Sequence, residues 1–438
     1  MNPVRIGLLG LGTVGGGTVN VLRRNNAEIA RRAGRAIHVV QASARDLDKE
    51  RICSTEGIEL TPDSFAVVRN PEVEVIVELM GGIEPARTLV LEAIANGKHV
   101  VTANKALIAL HGNEIFARAT EAGVMVAFEA AVAGGIPIIK AIREGLAGNR
   151  IDWLAGIING TGNFILTQMR DAGRDFEDVL AEAQALGYAE ADPAFDVEGT
   201  DAAHKLCILG AIAFGTALEF DKIYTEGITK ISSADVEYAD QLGYCIKHLG
   251  IARRRDDGIE MRVHPTLIPK RRLIASVDGV MNAVLVRADA VGPTLYYGPG
   301  AGAEPTASAV VADLVDVVRA LTTDPENRVP HLAFLPDHLA DLPTLPISEC
   351  ETAYYLSMMV RDEPGVLAEV ATILGNAGIS IEAMVQPEPP QGSPMARMVM
   401  LTHVVRERQM DEALAQVAQM QSVDGPVTRI RMETLEGD

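Results

Sequence analysis

The first third of the chain alternates short apolar runs with longer stretches in which apolar residues recur every three or four positions. The apolar runs fall at residues 4–9, 37–42, 73–79, 99–102 and 124–129. Each run has the length of a buried strand, and each connection is long enough for a crossover helix. The pattern predicts an α/β class with an open, parallel sheet whose ligand crevice lies at the carboxyl ends of the strands.

The pattern changes near residue 151, where a strand is predicted at 153–158, followed by a long helix at about 200–214. Prolines then punctuate the chain around residues 325–346 and indicate an extended linker. Beyond the linker, predicted strands and helices follow the βαββαβ order of a ferredoxin-like domain. The predicted organisation is a Rossmann-type dinucleotide-binding domain at 1–130 completed by about 305–325, an α+β domain at 131–304, a linker at 326–350 and a ferredoxin-like domain at 351–438.

Composition narrows the classes of function. The chain has 438 residues, 48% of them hydrophobic, and a formal net charge of −20. This acidic balance argues against nucleic-acid or anionic-membrane partners, which require a positive field. The four cysteines form no C-x-x-C pair, and no apolar run has the length of a membrane span. We therefore expect a cytoplasmic protein without a membrane segment.

A glycine-rich turn follows the first predicted strand and opens a helix. Gly10 permits the tight turn, Gly12 allows the pyrophosphate to approach the backbone, and Gly15 allows close helix packing. Thr13 and Val14 lie at the helix N-terminus, where phosphates bind. The position of this motif between a strand and a helix favours a dinucleotide site over an ordinary glycine-rich turn.

The end of the second predicted strand indicates which dinucleotide binds. NAD sites carry an acidic residue there for the ribose hydroxyl, whereas this chain has Ser43 and Arg45. A hydroxyl and a guanidinium suit a 2′-phosphate, so NADP is the expected cofactor. The alternative is that Asp46 or Asp48 turns inward and favours NAD.

Reduction of a carbonyl needs a hydride donor and a group that protonates or polarises the oxygen. Thr102 and Lys105 follow a buried strand at its carboxyl end, where both could contact the cofactor and Lys105 could reach the nicotinamide or the substrate. Farther on, an acidic loop containing Glu190 precedes Asp201 and Lys205, which lie four residues apart on one helix face. Lys205 could donate the proton while the carboxylates bind a substrate ammonium; an ordinary surface ion pair is the alternative.

These blocks together resemble the homoserine dehydrogenases over nearly the whole chain. The resemblance implies NAD(P)-dependent reduction of L-aspartate 4-semialdehyde to L-homoserine, in the biosynthesis of threonine, methionine and isoleucine. It also implies Lys205 as proton donor, Lys105 as a second essential lysine, and Glu190 and Asp201 as substrate ligands. The division of labour between the two lysines stays open. The matching blocks are residues 10–15, 102–105, 129–137, 159–166, 190–205 and 298–302.

The same resemblance implies a monovalent cation, Na⁺ or K⁺. Its ligands would be the Glu129 carboxylate and the backbone carbonyls of Val132, Gly134 and Ile136, and oxygen ligands suit a hard cation. The alternative is a buried glutamate that accepts hydrogen bonds from backbone N–H groups in a glycine-rich bend.

Several further contacts are implied at loops that follow strands. Gly160 and Thr161 open a helix and offer backbone N–H groups to a substrate carboxylate, unless they serve only as a cap. Gly187, together with Glu190 and Gly302, would contact the cofactor, with Gly302 in a second glycine loop.

The C-terminal region resembles the ACT domains, which bind amino acids. The resemblance rests on residues 361–368 and 376–381, where Asp362, Gly365 and Asn376 could form an amino-acid site. It implies feedback inhibition by threonine; the alternative is a domain that only dimerises. We expect a homodimer or homotetramer, and the apolar segment 130–142 looks suited to an intersubunit contact.

Two other functions compete with this interpretation. One is a different NADP-linked reductase for an amino-acid semialdehyde, and the other is a catalytically silent amino-acid sensor. The block at residues 190–205 disfavours the first, and the presence of both lysines disfavours the second.

Overall fold

The computed structural model describes residues 2–389 and 392–435. The chain forms two compact units. Unit 1 comprises Met1–Leu154, His204–Asp221 and Met281–Leu342, and unit 2 comprises Ala155–Ala203, Lys222–Val280 and Pro343–Asp438. Across the described residues, none of the helices combines the length and apolar character required to span a membrane.

The strands and helices follow one another along the chain with these bounds. The strands are β1 (Val4–Leu9), β2 (Ile37–Ser43), β3 (Glu59–Thr61), β4 (Val75–Glu78), β5 (His99–Thr102), β6 (Val126–Ala127), β7 (Ile151–Ile157), β8 (Tyr224–Thr225), β9 (Tyr244–Arg255), β10 (Gly258–Pro269), β11 (Met281–Ala288), β12 (Gly292–Pro299), β13 (Glu351–Arg361), β14 (Ile381–Val385), β15 (Met395–Thr402), β16 (Val405–Arg406) and β17 (Val423–Met432). The helices are α1 (Thr13–Arg24), α2 (Asn26–Ala33), α3 (Ser64–Arg69), α4 (Ala86–Ala95), α5 (Lys105–Ala122), α6 (Ile138–Lys140), α7 (Gly160–Ala172), α8 (Phe176–Ala185), α9 (Ala194–Val197), α10 (Thr200–Phe214), α11 (Ser233–Gln241), α12 (Ala303–Ala320), α13 (Val366–Asn376) and α14 (Glu407–Val417).

Unit 1 contains the predicted parallel sheet, with strand order β3-β2-β1-β4-β5-β6. The chain reverses its winding after β3, so the carboxyl ends of β1 and β4 flank the point where ligands bind in such sheets. The predicted last strand, 124–129, is longer than the observed Val126–Ala127. It ends early because the Glu129 backbone N–H donates to the Asp313 carboxylate at 2.8 Å and leaves the sheet.

Helix α12 packs against α1 in unit 1, although the two are separated by most of the chain. A Cβ on Gly17 would overlap the carbonyl oxygen of Ala303, so glycine is what lets the helices approach. Val310 and Leu314 of α12 are fully buried in the same core as Ile6 and Leu8 of β1.

Unit 2 is built on a sheet with the order β9-β10-β17-β13-β15-β14. Strand β13 is antiparallel to β15 and to β17, with helices α13 and α14 alongside, which is the predicted ferredoxin-like arrangement. Strand β17 also pairs in parallel with β10, so the sheet of the C-terminal region continues that of the preceding region.

The apolar segment 130–142 is mostly buried within the chain. Val132, Ile138 and Ile139 have no exposed surface. Most of its apolar side chains are covered by the chain's own core, and Pro137 is exposed. The expected intersubunit contact stays a prediction.

Candidate active site

The glycine turn after β1 opens onto a cavity of about 830 Å³ in unit 1. Gly10 has a φ of +97°, a left-handed conformation that glycine adopts without a steric penalty. A Cβ on Gly15 would overlap the Gly10 carbonyl oxygen, whereas one on Gly12 would meet no atom within 4 Å. Gly12 therefore leaves open space at the N-terminus of α1, where Thr13 is exposed and Val14 is half-buried. This geometry suits a pyrophosphate.

The part of the cavity beyond the end of β2 is lined by Ser43, Arg45, Lys49 and Arg51, together with Asp46 and Glu50. The Asp46 Oδ1 accepts hydrogen bonds from the backbone N–H groups of Asp48 at 3.0 Å and Lys49 at 3.2 Å. The Asp46 carboxylate thus accepts hydrogen bonds within its own turn. Sequence reasoning missed Lys49 and Arg51, which follow the strand end at distances that no motif fixes.

Glu78, which sequence reasoning also missed, organises the next strand ends. It is fully buried at the end of β4 and accepts hydrogen bonds from the Thr102 hydroxyl at 2.6 Å and the Met80 backbone N–H at 2.8 Å. Burial raises the pKa of its carboxyl group. Thr102 is itself fully buried, so its hydroxyl orders the strand end. The sequence signal that could have identified Glu78 is an acidic residue at the end of the apolar run that forms β4.

Lys105 is the first residue of α5 and is half-buried. Asn104 fixes its position, because the Asn104 Oδ1 caps the helix by accepting from the Leu107 backbone N–H at 3.1 Å. The Asn104 Nδ2 donates to the Gly82 carbonyl at 2.6 Å. Lys105 therefore emerges at the carboxyl edge of the parallel sheet, as predicted for a residue near the nicotinamide.

A cluster of polar side chains in unit 2 surrounds Asn159, the N-cap of α7. Its Oδ1 accepts from the Gly162 backbone N–H at 2.7 Å. Its Nδ2 donates to Asp196 Oδ1 at 2.7 Å and to Asp201 Oδ2 at 2.9 Å. One amide thus holds two carboxylates beside a helix N-terminus, although the sequence had indicated only Asp201 as a ligand.

Gly160 and Thr161 occupy the first turn of α7. A Cβ on Gly160 would lie 2.7 Å from the Val280 carbonyl oxygen, so the backbone approaches that loop closely. The Thr161 hydroxyl donates to the Tyr188 carbonyl at 2.7 Å and supports the acidic loop. Within that loop Gly187 has a φ of +75°, and Glu190 is exposed.

Lys205 lies on α10 four residues after Asp201 and is half-buried, whereas Asp201 is only 3% exposed. The adjacent His204 stacks on Phe220 with ring centroids 4.3 Å apart, which gives it a packing role. Cys207 is buried, and burial raises the pKa of its thiol to about 12, so it is no nucleophile at neutral pH.

The residues expected to bind a cation form a buried bend in unit 1. The two Glu129 carboxylate oxygens accept hydrogen bonds from the backbone N–H groups of Ile139 and Lys140, both at 2.9 Å. The Ile136 carbonyl accepts from the Ile138 N–H at 2.7 Å. Burial, with the nearby Asp313 carboxylate, raises the pKa of Glu129 to about 7. Throughout residues 2–389 and 392–435, no three His, Cys, Asp or Glu side chains form a metal cluster.

Gly302 has a φ of +122° and precedes α12 as its N-cap. It is exposed and does not belong to the lining of the nucleotide cavity described above. The predicted contact between Gly302 and the cofactor thus stays a prediction.

Comparisons with known proteins identify the family. Residues 10–129 match the family model "Homoserine dehydrogenase, NAD binding domain", residues 137–315 match "Homoserine dehydrogenase", and residues 354–420 match "ACT domain". A homoserine dehydrogenase from Pseudomonas aeruginosa is 66% identical over 99% of this chain and 100% of its own length. The chain belongs to the homoserine dehydrogenase family.

Solved structures agree with that assignment. The crystal structure of a homoserine dehydrogenase from Thiobacillus denitrificans is 63% identical and covers 100% of this chain and 99% of its own, with a TM-score of 0.94. A hyperthermophilic archaeal homoserine dehydrogenase in complex with NADPH is 26% identical, covers 72% of this chain and 97% of its own, and has a TM-score of 0.60.

Family membership confirms the predicted activity and fold. The protein is an oxidoreductase that interconverts L-aspartate 4-semialdehyde and L-homoserine with a nicotinamide cofactor. It carries a Rossmann-type domain, a mixed catalytic sheet and a C-terminal ACT domain. The competing functions, another semialdehyde reductase and a silent sensor, are set aside by the similarity to homoserine dehydrogenases over the full length.

Proposed function

We propose that this homoserine dehydrogenase prefers NADPH over NADH. The observation that carries the proposal is the Asp46 turn, which directs that carboxylate to the backbone N–H groups of Asp48 and Lys49. Ser43, Arg45 and Lys49 then line the cavity where a 2′-phosphate would lie. The NADPH bound to the archaeal relative supports the same choice.

The experiment compares consumption of NADPH and NADH at the nicotinamide absorbance band, with aspartate 4-semialdehyde as substrate. We expect a higher kcat/KM with NADPH. The double substitution of Arg45 and Lys49 by Ala should raise the KM for NADPH and leave that for NADH nearly unchanged, because NADH has no 2′-phosphate. Equal kcat/KM values for both cofactors would contradict the preference.

We propose that Lys205 is the proton donor and that Lys105 assists at the same reacting centre. When bound, the nicotinamide supplies the hydride to the aldehyde carbon. The Lys205 ammonium gives its proton to the carbonyl oxygen, so the aldehyde becomes the alcohol and the lysine becomes neutral. Asp201 and Glu190 bind the substrate ammonium, and the N-terminus of α7 at Gly160 and Thr161 offers N–H groups to its carboxylate.

We propose that Glu129, Val132, Gly134 and Ile136 hold a monovalent cation. Their oxygens form a hard donor set, and the backbone contacts of Glu129 leave a second lone-pair site on each carboxylate oxygen. A cation would also offset the burial of this carboxylate beside Asp313. Activity in potassium or sodium chloride should exceed that in choline chloride at equal ionic strength; equal activities would contradict the proposal.

We propose that the ACT domain binds threonine and thereby lowers activity. Gly365, with a φ of +101°, precedes α13 and exposes its backbone beside Asp362. Adding threonine to the NADPH assay should suppress turnover, and Gly365→Val should relieve the suppression without changing uninhibited turnover. Cytoplasmic location and assembly as a homodimer or homotetramer stay predictions from the sequence.

A further inference from the structure

The ACT domain and the catalytic sheet are joined edge to edge within unit 2. Strand β17 pairs in parallel with β10, with Arg431 opposite Thr266 and Met432 opposite Leu267. Just after the strand, the Glu433 backbone N–H donates to the Leu267 carbonyl at 3.0 Å. A movement of β17 therefore acts directly on the catalytic sheet.

Arg431 crosses this junction with a buried guanidinium that is 1% exposed. On the ACT side its Nε donates to Glu407 Oε2 at 2.9 Å. On the catalytic side its Nη1 donates to Glu226 Oε2 at 2.7 Å, and its Nη2 donates to the Tyr224 hydroxyl at 3.2 Å. The planar fork of arginine can serve both sides at once, which a lysine ammonium does less well.

Glu226 lies in a segment that packs directly against Val197 and Glu198, at the end of α9. The next backbone contact is the Ile228 N–H, which donates to the Val197 carbonyl at 2.9 Å. A Cβ on Gly227 would lie 2.5 Å from the Val197 carbonyl oxygen and 2.7 Å from the Glu198 Cα. The two backbones touch without space between them, so a displacement of one displaces the other.

The end of α9 lies next to the carboxylates already described. Asp196 and Asp201 flank Gly199, and both accept hydrogen bonds from the Asn159 side chain. Gly199 is tightly packed, because a Cβ there would lie 3.0 Å from both His248 Cε1 and Thr225 Cγ2. A continuous series of contacts thus connects Arg431 in the ACT domain with the carboxylates beside α7.

We propose that Arg431 is a positioning residue for the substrate site: by holding Glu226, it sets the position of the Asp196–Asp201 carboxylates and so couples the ACT domain to homoserine affinity. The proposal rests on the assignment of Asp201 as a substrate ligand. It predicts that disturbing this junction changes the binding of homoserine and leaves the binding of the dinucleotide unchanged, because the cavity at Gly10–Gly15 belongs to unit 1.

The test uses the full-length protein with Glu226→Gln and Arg431→Lys, assayed for homoserine oxidation with NADP⁺. Each substitution weakens a charge-assisted hydrogen bond, so we expect the KM for homoserine to rise by about fivefold or more. The KM for NADP⁺ and the Kd for NADPH, measured by its fluorescence, should change by less than about twofold. Glu226→Gln preserves shape and decides the question should Arg431→Lys fail to fold.

Arg429→Lys is the matched control. Arg429 lies two residues earlier on β17 and contacts Glu407 at 3.1 Å, together with Asp411, both within the ACT domain. This variant should keep the native KM for homoserine. An equal rise of the two KM values in Glu226→Gln would indicate a merely structural role and overturn the proposal, as would an unchanged KM for homoserine.

Asp201→Asn separates this proposal from the one on which it rests. If Asp201→Asn leaves the KM for homoserine unchanged, the assignment of Asp201 as a ligand fails, and the positioning role fails with it. If Asp201→Asn raises the KM and Glu226→Gln does not, the ligand assignment stands and only the positioning role of Arg431 is overturned.

Discussion

The two units differ in how far they bury paired charges. In unit 1, burial, with the charges of Arg328 and Arg143 respectively, lowers the pKa of His99 and of His331 to about 4. Both rings are therefore neutral and accept hydrogen bonds from backbone N–H groups. Burial also raises the pKa of the Asp313 carboxyl to about 6. In unit 1, burial thus opposes the ionisation of these three groups.

Unit 2 also buries His248 and His264, whose pKa values burial lowers, but in addition it buries charges in pairs. Arg431 binds Glu407, and Arg262 binds Glu433 at 2.6 Å. Burial opposes the ionisation of Glu407, yet Arg431 holds the pKa of its carboxyl below the usual value. Removing one partner of a buried pair costs about 3–5 kcal/mol, so charge fixes the geometry here. The glycine turn of the nucleotide site depends on backbone shape, whereas the ACT region and its junction with the catalytic sheet depend on paired charges.

The largest expected effect concerns the charged face of α10, where Lys205 lies. Lys205→Ala should lower kcat for semialdehyde reduction by at least roughly a hundredfold, because the variant lacks the general acid. The assay follows NADPH absorbance at saturating substrate. Lys230→Ala, at an exposed position of unit 2, is the control and should keep the native kcat.

A near-native kcat for Lys205→Ala would remove Lys205 as donor. Lys105→Ala would then be measured in the same assay, because Lys105 follows β5 at the carboxyl edge of the sheet. A pH profile of kcat for both variants would show which lysine carries the essential ionisation.

Unit 1 should lose stability in mild acid through its neutral histidines. The folded-state pKa of His331, about 4, lies below the unfolded value of about 6.5, so this contribution to stability is complete above pH 6.5 and is lost as pH falls toward 4. His331→Phe cannot take up the proton. Between pH 7 and pH 5, the variant should gain about 2 kcal/mol of unfolding free energy relative to the native chain.

Trp153, which is the only tryptophan and lies in unit 1, reports that measurement through its fluorescence in urea titrations. The His331 ring stacks on Phe116 with centroids 4.8 Å apart. In His331→Phe, the phenylalanine ring can keep this stacking. A difference in unfolding free energy between the two chains that does not vary with pH would contradict a neutral His331.

The sequence predicted unit 1 better than unit 2, for a physical reason. Strands buried on both faces and a glycine at a φ of +97° restrict residue type locally, so Gly10 and the βαβ rhythm are visible in a short window. The bridge from Asn159 to Asp196 and Asp201 joins positions 37 and 42 residues apart. Nothing local in the sequence records that pairing, nor the pairing of Arg431 with Glu226.

Gly12 and Gly15 of the nucleotide turn allow the role of backbone shape to be tested without any change of charge. Gly12→Ala meets open space in the protein, so it should keep native stability and raise the Kd for NADPH about tenfold by blocking the pyrophosphate. Gly15→Ala would overlap the Gly10 carbonyl, so both stability and affinity should fall. Thermal melting and NADPH fluorescence separate the two; equal melting temperatures for the two variants would contradict this account.

The smallest expected effect is at Asn159, where a neutral amide organises the charged site. Asn159→Ala removes the helix cap and should cost about 1 kcal/mol of stability. The same variant loses the hydrogen bonds to both Asp196 and Asp201, so it should raise the KM for homoserine several-fold. Asn159→Ser is the control, since serine can cap the helix but does not reach both carboxylates. It should restore stability without restoring the KM, and a native KM in Asn159→Ser would show that the cap alone, and not the bridge, shapes the substrate site.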